Sequence, residues 1–171
     1  MKWLDALRSI QRRDPAAKSL LEVVLFYPGV HALFFYAIAH RLYKVRLFLV
    51  ARLFSHIGRL VSGIEIHPGA RIGQRLFIDH GFGVVIGETS VIGDDVLMYH
   101  GVTLGSKTLG NFKRHPTIED RVILGAGAKI LGDIVIGHDS IVGANAVVSK
   151  SIPPYSVVGG IPAVSLKRDV N

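Results

Sequence analysis

The sequence predicts a mainly β protein: a parallel β-helix of hexapeptide repeats over residues 64–171, preceded by a small α-helical domain over residues 1–63. Three observations predict it. Branched aliphatics recur every six residues at Ile118, Leu124, Ile130, Ile136, Val142 and Val148, and the same beat runs upstream through Ile66, Ile72 and Ile78, then Ile86, Ile92, Met98 and Leu104. Small residues sit at fixed offsets from that beat. Gly follows Leu124, Ile136 and Val142, and Ala128, Ser140 and Ala146 stand four places on, where a chain must bend between short flat sides. Glycine usage also changes abruptly, with three glycines before residue 64 and sixteen after it. One coil alone has nothing to bury its apolar edge against, so the hexads must stack.

Helices are expected before the beat begins. Residues 3–12 form an amphipathic pattern ending in the basic Gln11-Arg12-Arg13. Asp14-Pro15 reads as the N-cap and first helical position of a second helix that reaches about Tyr27 and stops at Pro28-Gly29. A third helix is expected over 30–44. A fourth, over 46–62, places Leu47, Val50, Leu53, Phe54, Ile57, Leu60 and Val61 on one face, with Gly63 closing it. The uncharged run between Glu22 and Arg41 is split by Pro28-Gly29 and carries His31 and His40, which are costly in hydrocarbon. Buried helices are therefore expected rather than a membrane span, with His31, His40 and His56 as packed or capping side chains. At the other end, Pro153-Pro154 cannot donate to a ladder and are expected to end the coils.

The beat breaks twice. Eight residues separate Ile78 from Ile86, and fourteen separate Leu104 from Ile118. Extra residues leave a solenoid as bulges or loops, often on its functional face. The first break holds His80 and the second holds Arg114-His115. With coils of three hexads, the two extra residues after Ile78 put His80 and His100 at the same position in neighbouring coils. Glu65, His67, Asp79 and Glu88 are nearby candidates to orient or tune an imidazole.

The absence of cysteine excludes disulfides, thiolate metal sites and a cysteine acyl-enzyme. The formal charge of +7 is localised: residues 1–63 hold ten Lys+Arg against three Asp+Glu, and residues 64–171 hold ten of each. The excess suggests a subunit contact or partner surface on the helices, not general attraction of an anionic ligand to the β-helix. The first residues lack the apolar core and small-residue cleavage site of a signal peptide, so a cytoplasmic address is expected, with no nucleic-acid or membrane partner.

Several strings occur in one order: Ile64-Glu65-Ile66-His67-Pro68-Gly69-Ala70, Ile78-Asp79-His80-Gly81, Val85-Ile86-Gly87-Glu88-Thr89, Val102-Thr103-Leu104-Gly105, Lys113-Arg114-His115-Pro116 and Gly125-Ala126-Gly127-Ala128-Lys129-Ile130-Leu131-Gly132. Together with Arg13-Asp14-Pro15-Ala16 upstream, they closely resemble serine O-acetyltransferase, the acetyl-CoA enzyme of cysteine biosynthesis, in a short form. That resemblance implies a left-handed β-helix, an exception to the usual crossover hand. It also implies a homotrimer, possible pairing of trimers, and active sites between neighbours. His80 would be the catalytic base and Glu65 its orienting acid. Asp14, Asp79, Arg114 and His115 would surround L-serine, with His115 also in the catalytic group and Arg114 gripping the carboxylate. The base would take the hydroxyl proton as serine attacks the thioester of acetyl-CoA and return it to the departing sulfur, with no metal.

Backbone N–H groups near Gly105 are candidates for the oxyanion, and Ala126 and Ala144, one coil apart, for a groove along the pantetheine arm, although simple repeat packing explains these alanines as well. The chain departs from its relatives in the loop over 105–112, in His100 where they often carry Gln, and in its end, Lys167-Arg168-Asp169-Val170-Asn171. Relatives that bind O-acetylserine sulfhydrylase end in isoleucine, so that partnership is not supported here. Three other readings fit parts of the pattern. One is an acetyltransferase acting on a sugar or another small alcohol, for which Arg114 would lack a carboxylate. Another is a histidine-zinc β-helix enzyme in which His80, His100 and His115 supply ligands between subunits. The third is a non-catalytic scaffold.

Overall fold

In the computed structural model, which describes residues 3–166, each coil is a triangular turn of three short strands. Face I stacks β1 (Glu65–Ile66), β4 (Val85–Ile86), β7 (Thr103–Gly105), β10 (Lys129–Leu131) and β13 (Val147–Val148) in parallel. Face II stacks β2 (Arg71–Ile72), β5 (Val91–Ile92), β8 (Thr117–Ile118) and β11 (Val135–Ile136). Face III stacks β3 (Phe77–Asp79), β6 (Leu97–Tyr99), β9 (Ile123–Leu124), β12 (Ile141–Val142) and β14 (Val157–Gly159), and β15 (Val164–Ser165) adds antiparallel to β14.

The register is the six-residue beat itself. Ile66, Ile86, Leu104, Ile130 and Val148 are mutual partners on face I, and Ile78, Met98, Leu124, Val142 and Val158 on face III. All ten are buried, most of them completely. Ala70, Ser90, Ala128, Ser140 and Ala146 fill the inner corners with no exposure, because only small side chains fit where two faces meet. The coils do not end at Pro153-Pro154. Ile152 bridges Ile136 and β14 continues face III, since the two prolines fall on a corner where no ladder N–H is required.

Where faces II and III meet, residues of alternating charge occupy left-handed backbone: Arg75 (φ 56°), Asp95 (φ 59°), Arg121 (φ 56°) and Asp139 (φ 57°). Arg75 grips Asp95 through Nε and Nη2 at 2.7 and 2.6 Å, and Arg121 grips Asp139 at 2.8 and 2.7 Å. These forks tie neighbouring coils together across their outer edge.

Four helices precede the solenoid. Helix α1 (Trp3–Arg13) runs one residue past its expected end. Its last residue docks on the charged corner: Arg13 donates to the carbonyls of Asp95 (3.1 Å) and Arg75 (2.6 Å), with its guanidinium 5.3 Å from the Phe77 ring centre. The second helix does not start at Pro15. Helix α2 spans only Leu20–Phe26, capped by Ser19, whose Oγ accepts from the Glu22 N–H at 3.1 Å while Glu22 accepts from the Lys18 N–H at 2.8 Å. This near-reciprocal cap outcompetes Asp14-Pro15, and Asp14 instead closes a turn by accepting from the Ala16 N–H at 2.8 Å.

Helix α3 (Pro28–Lys44) lies on the first coil, where Ala32, Leu33 and Tyr36 join the β-helix core and the Tyr36 hydroxyl donates to the Ala70 carbonyl at 2.7 Å. Helix α4 (Phe48–Ser62) starts two residues later than expected and ends in left-handed Gly63. It also packs on a different face from the one expected. Ala51, Ser55, Gly58 and Ser62 turn inward, and Gly58 lies so close to Phe35 that no side chain fits between the helices. The large apolar residues point outward instead, among them Leu53, Leu60 and Val61, as do Leu21 and Phe26 of α2. Small residues let the α3 and α4 backbones approach closely, and this contact displaced the apolar face from the core. No single helix among the described residues is long and apolar enough to cross a membrane.

Gly29 marks the closest approach of helix to solenoid: a Cβ there would stand 2.5 Å from the Ile78 carbonyl oxygen. Gly29→Ala is expected to lift the start of α3 off β3 and to destabilise the protein by about 1–3 kcal/mol, read as a lower midpoint in urea denaturation.

Candidate active site

The first break in the beat forms an enlarged corner between faces III and I. Asp79 is the last residue of β3, and His80 follows in left-handed conformation (φ 57°), where the side chain turns outward and stays 76% exposed. The His80 Nε2 lies 3.9 Å from Asp79 Oδ2, and the imidazole of His100, one coil on, meets the His80 ring edge-on at 6.0 Å. The neighbour relation read from spacing is therefore present. Along the same corner the Gly127 N–H donates to the His100 carbonyl and the Asn145 N–H to the Ala126 carbonyl, so His100, Ala126 and Ala144 descend in line from His80. Ala126 is half-buried and Ala144 exposed, leaving an open strip beside the column.

Helical residues complete this corner. Asp14 Oδ2 accepts a 2.5 Å hydrogen bond from the Tyr27 hydroxyl, and the Tyr27 ring lies 6.4 Å from Phe77 of β3. Tyr27, read from the sequence only as the end of a helix before Pro28-Gly29, is not among the candidate site residues named there. Glu65, expected to orient the base, is bonded within its own chain to a helical arginine. Its carboxylate accepts from Arg59 at 3.1 Å, where the last turn of α4 passes over β1, and the Asp79 carboxylate lies 3.9 Å from His80 Nε2. A cleft of about 540 Å³ lined by Arg59, Gly63, Glu65, Phe82 and Val85 adjoins the corner.

Arg114 and His115 lie elsewhere, at the corner between faces I and II, where the second break returns to the solenoid. Arg114 Nη2 pairs with Glu88 at 2.8 Å and Nη1 donates to the Gly110 carbonyl at 2.7 Å. Burial pushes the Glu88 carboxyl up, but hydrogen bonds from Arg114 and Tyr43 outweigh it and leave Glu88 below the usual carboxylate range. His115 is buried against Thr89. The Thr89 hydroxyl accepts from the backbone N–H groups of Arg114 and His115, both at 3.0 Å, and meets His115 Nδ1 at 2.9 Å. Nδ1 also accepts from the Thr89 N–H at 3.2 Å, so it carries no proton and Nε2 is the protonated nitrogen. Burial and the neighbouring Arg114 hold the His115 pKa below that of an ordinary imidazole, and burial does the same for His67 on this corner. A cleft of about 340 Å³ lined by Tyr43, Arg71, Glu88, Thr89 and Lys113 opens here. Tyr43 and Thr89, which hold the charged groups in place, are the residues the sequence reading left without a role.

Gly105 ends β7 at this second corner, apart from Ala126 and Ala144. One chain thus gathers Asp14, Asp79, His80 and His100 at one edge of face I and Gly105, Arg114 and His115 at the other. The histidines of a His80, His100 and His115 metal site do not converge within it. Lys167–Asn171, on which the sulfhydrylase expectation rests, lies outside the described residues.

Known proteins resemble this chain along nearly its whole length. The bacterial transferase hexapeptide (six repeats) family matches residues 115–150. The serine acetyltransferase of Helicobacter pylori strain J99 is 53% identical over 96% of both chains, and that of Mycobacterium tuberculosis is 56% identical over 91% of this chain and 68% of its own. Among solved structures, serine acetyltransferase from Brucella abortus in complex with coenzyme A superposes with a TM-score of 0.93 at 40% identity, over 96% of this chain and 66% of that one. The Neisseria gonorrhoeae serine acetyltransferase in complex with serine gives 0.92 at 40% identity, over 97% and 68%.

Two outcomes test the geometry of the second corner. A methyl group at Gly87 would occupy the space of the His115 imidazole, so Gly87→Ala is expected to displace that ring and to change its NMR resonances. His67 and His115 stay neutral in the fold to lower pH than in the unfolded chain, whose histidines protonate near 6.5. Unfolding therefore takes up protons in acid, and stability should decline as pH falls below about 6.5, by less in His115→Gln, as measured by urea denaturation at several pH values.

Proposed function

The chain belongs to the serine acetyltransferase family, and from that premise we propose that it moves the acetyl group of acetyl-CoA to the L-serine hydroxyl, with His80 as base, in a site closed by a second copy of the chain. The observation that carries this reading is the convergence of Asp14, from the stretch between α1 and α2, with Asp79-His80, from the end of β3, on one corner. Two carboxylates there suit an ammonium group. Serine carries its ammonium and hydroxyl on adjacent carbons, so an amino acid held at Asp79 brings its hydroxyl to the imidazole 3.9 Å from that carboxylate.

His80 then takes the hydroxyl proton while the serine oxygen bonds to the thioester carbonyl carbon. Collapse of the tetrahedral adduct breaks the carbon–sulfur bond, and the imidazolium returns its proton to the sulfur. The products are O-acetyl-L-serine and CoA. The Asp79 carboxylate lies 3.9 Å from the ring nitrogen that carries the proton between the two transfers. The strip beside His100, Ala126 and Ala144 offers the thioester an approach along the solenoid.

The serine carboxylate suits the two-pronged guanidinium of Arg114, which stands at the opposite edge of face I. A threefold assembly with face I turned inward would set the His80 corner of one copy beside the Arg114 corner of the next, giving three identical sites. The loop over 106–112 supports this arrangement, because it leaves Leu109 (96% exposed) and Phe112 (54% exposed) open to solvent at the second corner. His115, donating from Nε2, would then face the substrate beside Arg114. An acetyltransferase acting on a sugar would have no carboxylate to offer this pair.

Three measurements follow. His80→Ala is expected to lower kcat about 100- to 10,000-fold with the melting temperature unchanged; near-normal turnover by the folded variant would remove His80 as base. Arg114→Lys should raise KM for L-serine strongly while KM for acetyl-CoA changes little, because a point charge replaces a two-pronged fork. The mass of the active protein in solution should be that of a trimer or a multiple of it, and an active monomer would rule out the shared site.

A further inference from the structure

We infer that Tyr27 is a positioning residue for the substrate ammonium: it fixes the carboxylate of Asp14 against β3, so that Asp14 and Asp79 act on L-serine as a pair. The inference rests on the acetyltransferase reading and adds to it a residue that none of the family strings contains. Asp14 stands on an irregular stretch between α1 and α2, where nothing in the local backbone fixes its side chain beyond the turn to Ala16. Two anchors convert that stretch into part of the site. Arg13 holds its beginning by donating to the carbonyls of Arg75 and Asp95 on the solenoid. Tyr27 holds the carboxylate through the 2.5 Å hydrogen bond to Oδ2.

Tyr27 is itself immobilised. It immediately precedes Pro28-Gly29, the point where α3 touches the Ile78 carbonyl, and its ring lies near Phe77. Phe77 and Asp79 share the outer face of β3, because Ile78 between them points into the core. The ring that packs near Phe77 thus brings Asp14 to the side of the strand from which Asp79 projects. Burial, the hydrogen bond to Asp14 and the charges of Asp14, Glu22 and Asp79 all push the phenol pKa up, so the hydroxyl remains a donor throughout the physiological range. A carboxylate has about four acceptor sites, and the bonds from Tyr27 and Ala16 leave others to receive an ammonium.

The test is a double-mutant cycle on the full-length protein, with Tyr27→Phe, Asp14→Asn and the pair, each measured for kcat, for KM toward L-serine and acetyl-CoA, and for melting temperature. Tyr27→Phe keeps the ring and removes only the hydroxyl. It is expected to raise KM for L-serine about tenfold, the scale of one hydrogen bond to a charged group, with kcat and KM for acetyl-CoA within about twofold of wild type. In the Asp14→Asn background the same change should cost less than about twofold in kcat/KM for L-serine, because Tyr27 acts through Asp14. An unchanged KM for L-serine overturns the inference. So does a full tenfold loss in the Asp14→Asn background, or equal losses toward both substrates with a lower melting temperature, either of which gives Tyr27 a role apart from Asp14. Failure of the wild-type protein to acetylate L-serine is a separate result, and it would overturn the acetyltransferase reading together with this one.

Discussion

Every part of this protein depends on aliphatic side chains stacking in register along the axis of the solenoid. The three-strand coil is too small to bury an apolar edge by itself, and its two- and three-residue strands are too short to persist alone. Stacking solves both problems together, since the partner that covers Leu124 on one side, Met98, also aligns the ladder in which Leu97 and Ile123 pair. Extra residues can leave the column only at a corner. The break after Ile78 and the longer one after Leu104 therefore fall at corners, and the groups best suited to chemistry are carried there, on a scaffold whose core they do not disturb.

The corners differ in chemistry because they differ in what must be satisfied. Between faces II and III, arginine and aspartate occupy left-handed positions that disfavour most side chains by roughly 1–2 kcal/mol each, and their interlocked forks offset part of that cost. The same column receives Arg13, so a feature of solenoid stability also determines where the helical segment docks and hence where Asp14 lies. Between faces I and II, Glu88 and Thr89 serve the opposite purpose. They absorb the charge of Arg114 and the backbone donors of the returning loop, which holds a cation and a neutral imidazole in place before any ligand arrives. A substrate carboxylate at Arg114 would share that guanidinium with Glu88, and the fork geometry of arginine permits such sharing where a lysine would not.

The residues suited to serine are divided between two edges of one face, which has a consequence for regulation by assembly. Under the proposed arrangement a chain on its own would hold the ammonium side and the base at one edge and the carboxylate side at the other, so activity would depend on subunit association. Leu60 and Val61 of the outward apolar face of α4 line the cleft beside the first edge.

The sequence alone determined the solenoid, because a period of six in buried aliphatics has few other structural solutions, and it determined the two breaks, because an interrupted period is visible without coordinates. It also singled out His80, Asp79, Arg114 and His115, whose strings are local. It did not reveal the start of α2, where the Ser19-Glu22 cap prevailed over Asp14-Pro15, or the inward face of α4, where backbone proximity through Ala51, Ser55 and Gly58 overrode hydrophobic periodicity. Nor did it reveal that Glu65 bonds to Arg59, or that Tyr27 holds Asp14. Those outcomes were decided by tertiary structure, since each is a contact between separate elements or a competition between local signals of similar strength. Only the docking of the helices on the first coils sets which partner each polar group meets.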